Sequence, residues 1–151
     1  MSALDRILEY KADEVRALKQ ARTIESLLEL AREQAPPRGF ARALDTVAEE
    51  GANALICEIK RKSPSAGEIL PGALGPDIAQ AYESGGAACL SVLTDAPSFG
   101  GTLEDFINIR RAVALPMLRK DFMIDPLQIV ESRAYGADCI LVILSAVDDI
   151  C

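Results

Sequence analysis

The stretch that decides the fold is PMLRKDFMIDPLQIVESRAYGADCILVIL, residues 116–144. Its two ends, PMLRKDF and CILVIL, are short apolar runs and predict β-strands. The middle predicts a helix: Asp125 is in the N-cap position and Pro126 is in the first turn. Gln128 completes a capping pattern, and Gly136 follows the last turn. A strand, a helix and a second strand in this order predict a βαβ unit with parallel strands.

The same alternation extends towards the N-terminus. ALICEIK and ACLSVLTD predict two more strands, and PDIAQAYESGG and TLEDFINIRRAV predict the helices between strands, the latter capped by Thr102. Three helical patterns come first, and the second begins at the N-cap residue Thr23. The sequence therefore predicts an α/β fold. Residues 1–50 form an N-terminal helical extension, and residues 51–151 contribute four parallel strands covered by helices.

Composition excludes several classes of function. The chain has 151 residues and a net charge of −7, without a basic run, which argues against nucleic-acid binding. It has no apolar run near the ~20 residues of a membrane span, and its N-terminus lacks the apolar core of a signal peptide. A cytoplasmic protein is expected. Because there is no histidine, a histidine base is excluded and a zinc site is nearly so.

The four cysteines form no C-x-x-C pair. Cys57, Cys89 and Cys139 lie in or beside apolar runs, and Cys151 is the last residue. In a reducing compartment the first three are expected to be small buried hydrophobic residues.

Charged residues collect where the predicted strands end. Glu58 and Lys60 close the first strand on one face, since side chains alternate along a strand, and Lys120 closes the third. Two interpretations remain open: a structural ion-pair network, or a pocket for an anionic substrate at the edge where parallel sheets bind ligands. The second is favoured. Lys62 and Arg119 are expected to be solvated or to face a helix.

Four segments together resemble the indole-3-glycerol phosphate synthase family: EIKRKSPSAG, SVLTD with the following SFGG, LRKDF, and DPLQIVESRAYGADCILVI. The resemblance covers essentially the whole chain, including the helices before the first strand. It implies a (β/α)₈ TIM barrel and a carboxy-lyase of tryptophan biosynthesis that needs neither cofactor nor metal. The substrate would be 1-(2-carboxyphenylamino)-1-deoxyribulose 5-phosphate. It would be cyclised, decarboxylated and dehydrated to indole-3-glycerol phosphate.

The resemblance also implies the site residues. Lys120 would protonate the substrate ketone, Lys60 would lie near the carboxylate that leaves as CO₂, and Glu58 would orient the lysines and relay protons. The substrate-binding positions would be Ser63, Phe99 and Phe122. The residues alone leave other options open, because SPSAG is also typical of a turn and Phe99 could be a lid or pack locally.

The family pattern extends further than these 151 residues. A barrel typically needs about 250 residues, and nothing here matches the family's second catalytic glutamate or its phosphate-binding loops. The expectation is an inactive half of the enzyme, with open sheet edges that invite self-association. The alternative is a non-catalytic fragment that acts only as a self-associating or structural module. Another phosphate-binding barrel, such as the isomerase of the preceding pathway step, is disfavoured.

Overall fold

Three capped helices occupy the first third of the chain. The computed structural model describes residues 2–147, so Cys151 lies outside the described residues. The helices are α1 Ala3–Ala21, α2 Ile24–Glu33 and α3 Phe40–Glu49. Ser2 and Asp5 cap α1 reciprocally, and the Thr23 side chain accepts a hydrogen bond from the Ser26 N–H at 3.2 Å. The predicted N-cap at Thr23 is confirmed.

Strands and helices alternate through the rest of the chain. The strands are β1 Ile56–Ile59, β2 Lys62–Ser63, β3 Gly67–Glu68, β4 Cys89–Leu93, β5 Met117–Lys120 and β6 Cys139–Ile140. The helices are α4 Gly75–Ser84, α5 Ala96–Phe99, α6 Leu103–Ala112 and α7 Pro126–Ala134, followed by a 3₁₀ turn, Leu144–Ala146. Strands β1, β4, β5 and β6 form one parallel sheet in that order. The four predicted parallel strands are confirmed.

One face of the sheet is covered by helices. Leu90 and Val92 of β4 pack with Phe106 and Ile109 of α6 in the main hydrophobic core. The opposite face is open at the edge strand β1, where Ile56 is 49% exposed. In the central strand β4 the same face is buried at Cys89, Ser91 and Leu93, so the exposure is confined to the edge of the sheet.

The three described cysteines differ in burial, which corrects the expectation that each of them is buried. Cys89 in the central strand β4 is buried, but Cys57 and Cys139 are only half-buried because β1 and β6 are edge strands. All three are free thiols. Burial raises the pKa of the Cys89 and Cys139 thiols to about 11.

The first helices dock onto the sheet's later elements. Leu27 of α2 is fully buried against Leu127 and Ala134 of α7. Ahead of α3, the Arg38 guanidinium donates hydrogen bonds to the carbonyl oxygens of Val113 and Leu115 at 2.8 and 2.9 Å. Across residues 2–147, no helix combines the length and the apolar character that crossing a bilayer requires.

Candidate active site

Three charged side chains meet at the carboxyl ends of β1 and β5. Glu58 lies in β1, Lys60 follows it by two residues, and Lys120 ends β5. The Lys60 ammonium lies 2.9 Å from Glu58 Oε1, and the Lys120 ammonium donates a hydrogen bond to Glu58 Oε2. We call these three residues the charge cluster. The convergence that strand alternation predicted for Glu58 and Lys60 is therefore present, and β5 adds Lys120.

The charge cluster keeps an excess positive charge near solvent. Its side chains are 30%, 32% and 37% exposed for Glu58, Lys60 and Lys120, so a ligand can reach them. Partial burial opposes ionisation of Glu58, but the hydrogen bonds from Lys120 and Lys60 outweigh it and hold the pKa of that carboxyl below its usual range. Two cations around one carboxylate leave one net positive charge, which suits an anionic ligand.

Two aromatic rings lie beside each other at the same edge of the sheet. The ring centroids of Phe99, at the end of α5, and Phe122, two residues after Lys120, are 6.2 Å apart with planes inclined by 31°. Both rings are half-buried. We call them the aromatic pair. Just after Phe99 the chain turns at Gly101, where a Cβ would collide with the carbonyl oxygen of Leu93.

Ser63 lies in a small hairpin formed by β2 and β3. Its hydroxyl accepts a hydrogen bond from the Ala66 N–H at 3.1 Å and lies 3.5 Å from the Ser65 hydroxyl. Both partners belong to the same turn. No hydrogen bond within the described part of the chain joins Ser63 to the charge cluster.

A second ionic network lies beneath the edge, and sequence reasoning did not find it. Lys11 of α1 is 2% exposed and places its ammonium 2.9 Å from Asp95 Oδ1 and 2.8 Å from Asp121 Oδ1. We call these three residues the Lys11 network. Burial disfavours the charge on Lys11, but Asp121 and its neighbours outweigh that effect and hold the pKa of Lys11 above its usual range. The sequence carried one sign that Lys11 is buried. Lys11 lies between the apolar residues Ile7 and Val15 in the same i, i+4 row of the helix.

Arg119 decides between the two options that the sequence left open for it. Its side chain is only 6% exposed and faces α7, where it lies 2.8 Å from Glu131 Oε2. It also lies 3.3 Å from Asp121 Oδ2 and donates to the Thr94 hydroxyl at 3.1 Å. The helix-facing option is confirmed and the solvated one is wrong, because β5 is interior to the sheet.

Metal ligation has no support in residues 2–147. No group of three or more Cys, Asp or Glu side chains there is arranged to hold a metal ion. The two buried carboxylates of the Lys11 network already share an ammonium.

Comparison with known proteins places these features in a family. The family model for indole-3-glycerol phosphate synthase matches residues 4–150. An indole-3-glycerol phosphate synthase from Hyphomonas neptunium is 66% identical over 148 residues, which are 98% of this chain and 56% of the relative. The proteins of the same name from Azospirillum brasilense and Rhodospirillum rubrum are 51% and 54% identical over 146 and 136 residues, covering 97% and 90% of this chain.

The matches extend along this chain but not along the whole of each relative. The chain spans 56% of the length of the first two relatives and 52% of the third. A carboxyl transferase domain of pyruvate carboxylase from Rhizobium etli aligns with a TM-score of 0.42 and 19% identity over 71% of this chain and 19% of that one, too little to support any argument. With a four-stranded parallel sheet consistent with half of a TIM barrel, the chain belongs to the indole-3-glycerol phosphate synthase family.

Proposed function

We propose that this chain carries part of the catalytic site of an indole-3-glycerol phosphate synthase. The reaction would close the ring of 1-(2-carboxyphenylamino)-1-deoxyribulose 5-phosphate, with loss of CO₂ and water. The observation that carries the proposal is the bridge from Glu58 to both Lys60 and Lys120 at the carboxyl edge of a parallel sheet. A substrate with a phosphate and a carboxylate needs such cations, and that edge is where parallel α/β folds carry their chemistry.

Each member of the charge cluster has a distinct proposed role. As the aromatic carbon attacks the ketone carbon, the ketone oxygen takes a proton from the Lys120 ammonium. The Lys60 ammonium holds the carboxylate that leaves as CO₂. Ionised Glu58 accepts hydrogen bonds from both ammonium groups, so it fixes their positions and can relay a proton from the Lys60 ammonium to Lys120 after Lys120 has given up its own.

The aromatic pair would form a wall for the aromatic ring of the substrate. A ring sandwiched between two others needs about 7–8 Å between the outer ring centres, since carbon atoms in contact lie about 3.5–4 Å apart. The observed 6.2 Å between Phe99 and Phe122 is shorter than that. The substrate ring would therefore stack against one side of the pair.

Ser63 would donate a hydrogen bond to the substrate. Its oxygen already accepts from the Ala66 N–H, but a hydroxyl can accept and donate at once. The Ser65 hydroxyl can serve as the donor in its 3.5 Å contact with Ser63, and the Ser63 proton would then bind an oxygen of the substrate.

The two parts of the chain have distinct proposed roles in the intact enzyme. Residues 1–50 form the N-terminal extension and residues 51–151 supply four barrel strands of a cytoplasmic enzyme that uses no cofactor. Because this chain spans about half of its relatives, we propose that it has negligible synthase activity alone. Four strands cannot enclose a substrate as a closed barrel does.

Complementation tests the proposed function. The chain would be co-expressed with the part of the Hyphomonas neptunium relative that the match leaves uncovered, and formation of indole-3-glycerol phosphate would be measured. Restored ring closure supports the proposal. If a complex forms and contains no activity at any substrate concentration, the proposal is wrong.

Lys120→Met in that complex tests the acid. We expect kcat to fall by on the order of 10²–10⁴, because a positioned general acid is lost, while substrate affinity changes little. Lys19→Met is the matched control, since Lys19 is 54% exposed and its one ion pair among the described residues is with Asp125 at the surface. Turnover of the Lys120→Met complex within about tenfold of the unmodified complex would contradict the assignment.

A second candidate function rests on the open sheet. Leu55 and Ile56 at β1 and Val142 after β6 are each about half exposed. We propose as the alternative that the chain acts only as a self-associating or structural module through these edges. Complementation that fails while the chain assembles with itself would favour this candidate.

A further inference from the structure

We propose that Lys11 is a positioning residue that sets the spacing of the aromatic pair, Phe99 and Phe122. The inference rests on the proposed function only for what the pair does, namely to wall the substrate ring. The spacing itself is a property of this chain.

The Lys11 ammonium lies between two buried carboxylates, those of Asp95 and Asp121. It lies 2.9 Å from Asp95 Oδ1 and 2.8 Å from Asp121 Oδ1. Asp95 is 0% exposed and Asp121 3%, so water screens neither contact. Two such carboxylates repel each other unless a cation bridges them. Lys11 therefore adds a charged link between Asp95 and the end of β5, beside the hydrogen bond that the Thr94 hydroxyl donates to Asp121.

Each of the two carboxylates also accepts a hydrogen bond from the backbone beside one ring of the aromatic pair. Asp95 Oδ2 accepts the Ser98 N–H at 2.9 Å and so caps α5, the short helix that ends in Phe99. Asp121 Oδ1 accepts the Phe122 N–H at 2.8 Å. The ammonium of Lys11 is thus the shared point between the two segments that carry the rings.

The two carboxylates would respond differently to loss of Lys11, because they keep different partners. Asp121 would keep Arg119 at 3.3 Å and the Thr94 hydroxyl, which donates at 2.6 Å. From the part of the chain that the structure describes, Asp95 would keep only neutral donors, the Tyr10 hydroxyl at 2.9 Å and the Ser98 N–H. Without Lys11 the Asp95 side would move, so Phe99 would shift away from a fixed Phe122.

A tryptophan reporter tests this directly. The chain has no tryptophan, so Phe99→Trp gives a single fluorophore on α5. Adding Lys11→Met, which keeps the length but removes the charge, should shift the emission to longer wavelength as the ring loses its contact with Phe122. Lys19→Met in the same reporter should leave the emission unchanged, because this lysine of α1 pairs with Asp125 at the surface. Emission unchanged by Lys11→Met in a folded chain would overturn the proposal.

A second variant covers the case in which Lys11→Met prevents folding. Asp95→Asn added to Lys11→Met removes the repulsion between the carboxylates, and Asp121 keeps its partners, so the fold should persist while the bridge is still missing. We expect a smaller red shift in this double variant, because the charged link to α5 is missing although the repulsion that would displace α5 is gone. A folded double variant with the emission of the parent reporter would contradict the inference.

Kinetics of the complemented enzyme give an independent readout. With Phe99 retained, Lys11→Met should raise KM by about tenfold or more with a smaller change in kcat, since ring binding is impaired and Lys120 stays in place. An unchanged KM would overturn the role in substrate binding. If the complex has no activity at all, the fluorescence result still decides the spacing, so the two proposals fail separately.

Discussion

Three consecutive residues at the end of β5 and just after it serve two ionic networks. The Lys120 ammonium joins the charge cluster, while Arg119 and Asp121 point to the other side and join buried partners. The cause is strand alternation, which sends neighbouring side chains to opposite faces. Lys120 on one face is therefore held by a strand whose other face is anchored by buried ion pairs.

Asp121 should make stability depend on pH in the acid range. Burial disfavours its charge, but Lys11 and Arg119 outweigh that effect and hold the pKa of its carboxyl below the ordinary 3.8. A depressed folded-state pKa contributes stability that is present above the unfolded pKa and lost as pH falls through the folded pKa. The free energy of unfolding should therefore decline as pH falls below about 4.

Urea unfolding at several pH values measures this effect. The Asp121→Asn chain should be less stable near neutral pH and should lose less stability between about pH 5 and pH 2 than the unmodified chain. Asp13→Asn is the control, because Asp13 is 67% exposed and, within residues 2–147, pairs with Arg16 alone at the surface. Equal slopes for the unmodified and Asp121→Asn chains would refute the assignment.

The sequence predicts the charge cluster better than it predicts the network beneath. Strand alternation places Glu58 and Lys60 on one face, and the family resemblance adds Lys120. Lys11 reads as one charge in a mixed helix, because its partners lie far along the chain and only the folded structure brings them together. The same holds for Arg119, whose partner Glu131 belongs to the next helix.

At the scale of helices and strands, the helix starts that are marked by N-cap residues are the parts most readily predicted. Thr23, Thr102 and Asp125 each accept a backbone hydrogen bond at the predicted helix start. The hairpin of β2 and β3 and the short helix α5 are missed. Each is too short to show a periodicity, and tertiary contacts decide its conformation.

The cap of α6 supports a stability prediction. The Thr102 side chain accepts a hydrogen bond from the Asp105 N–H at 3.0 Å, and Thr102→Ala removes that acceptor. We expect a loss of about 1 kcal/mol in the free energy of unfolding, measured by urea denaturation. Thr46→Ala is the matched control: Thr46 is exposed within α3, where alanine is the better helix former, so stability should hold or rise slightly. A Thr102→Ala chain as stable as the Thr46→Ala chain would show that the cap contributes nothing.

At the scale of the molecule, the parallel sheet ends in two unpaired edges within the described residues. Strand β1 lies at one edge and β6 at the other, and Ile56 of β1 is half exposed. Exposed apolar edges are templates for pairing with another chain. The family fold, a closed barrel, would cover both edges.

Self-association of the 151-residue chain follows as a prediction. Light scattering coupled to size exclusion should show a mass that rises with concentration in the micromolar range, and Ile56→Lys should lower it by placing a charge on the edge. Ile24→Lys is the control, since Ile24 is 44% exposed on α2, away from the sheet. A monodisperse monomer throughout that range would contradict the prediction.

The docking of the first helices onto late elements also has a consequence for synthesis. Leu27 needs Leu127 and Ala134 for its burial, and Lys11 needs Asp121. A ribosome adding about 5–20 residues per second takes on the order of ten seconds to make these partners after the helices have emerged. Throughout that interval Leu27 lacks its packing partners, so we expect the apolar face of α2 in the nascent chain to be open to chaperone binding.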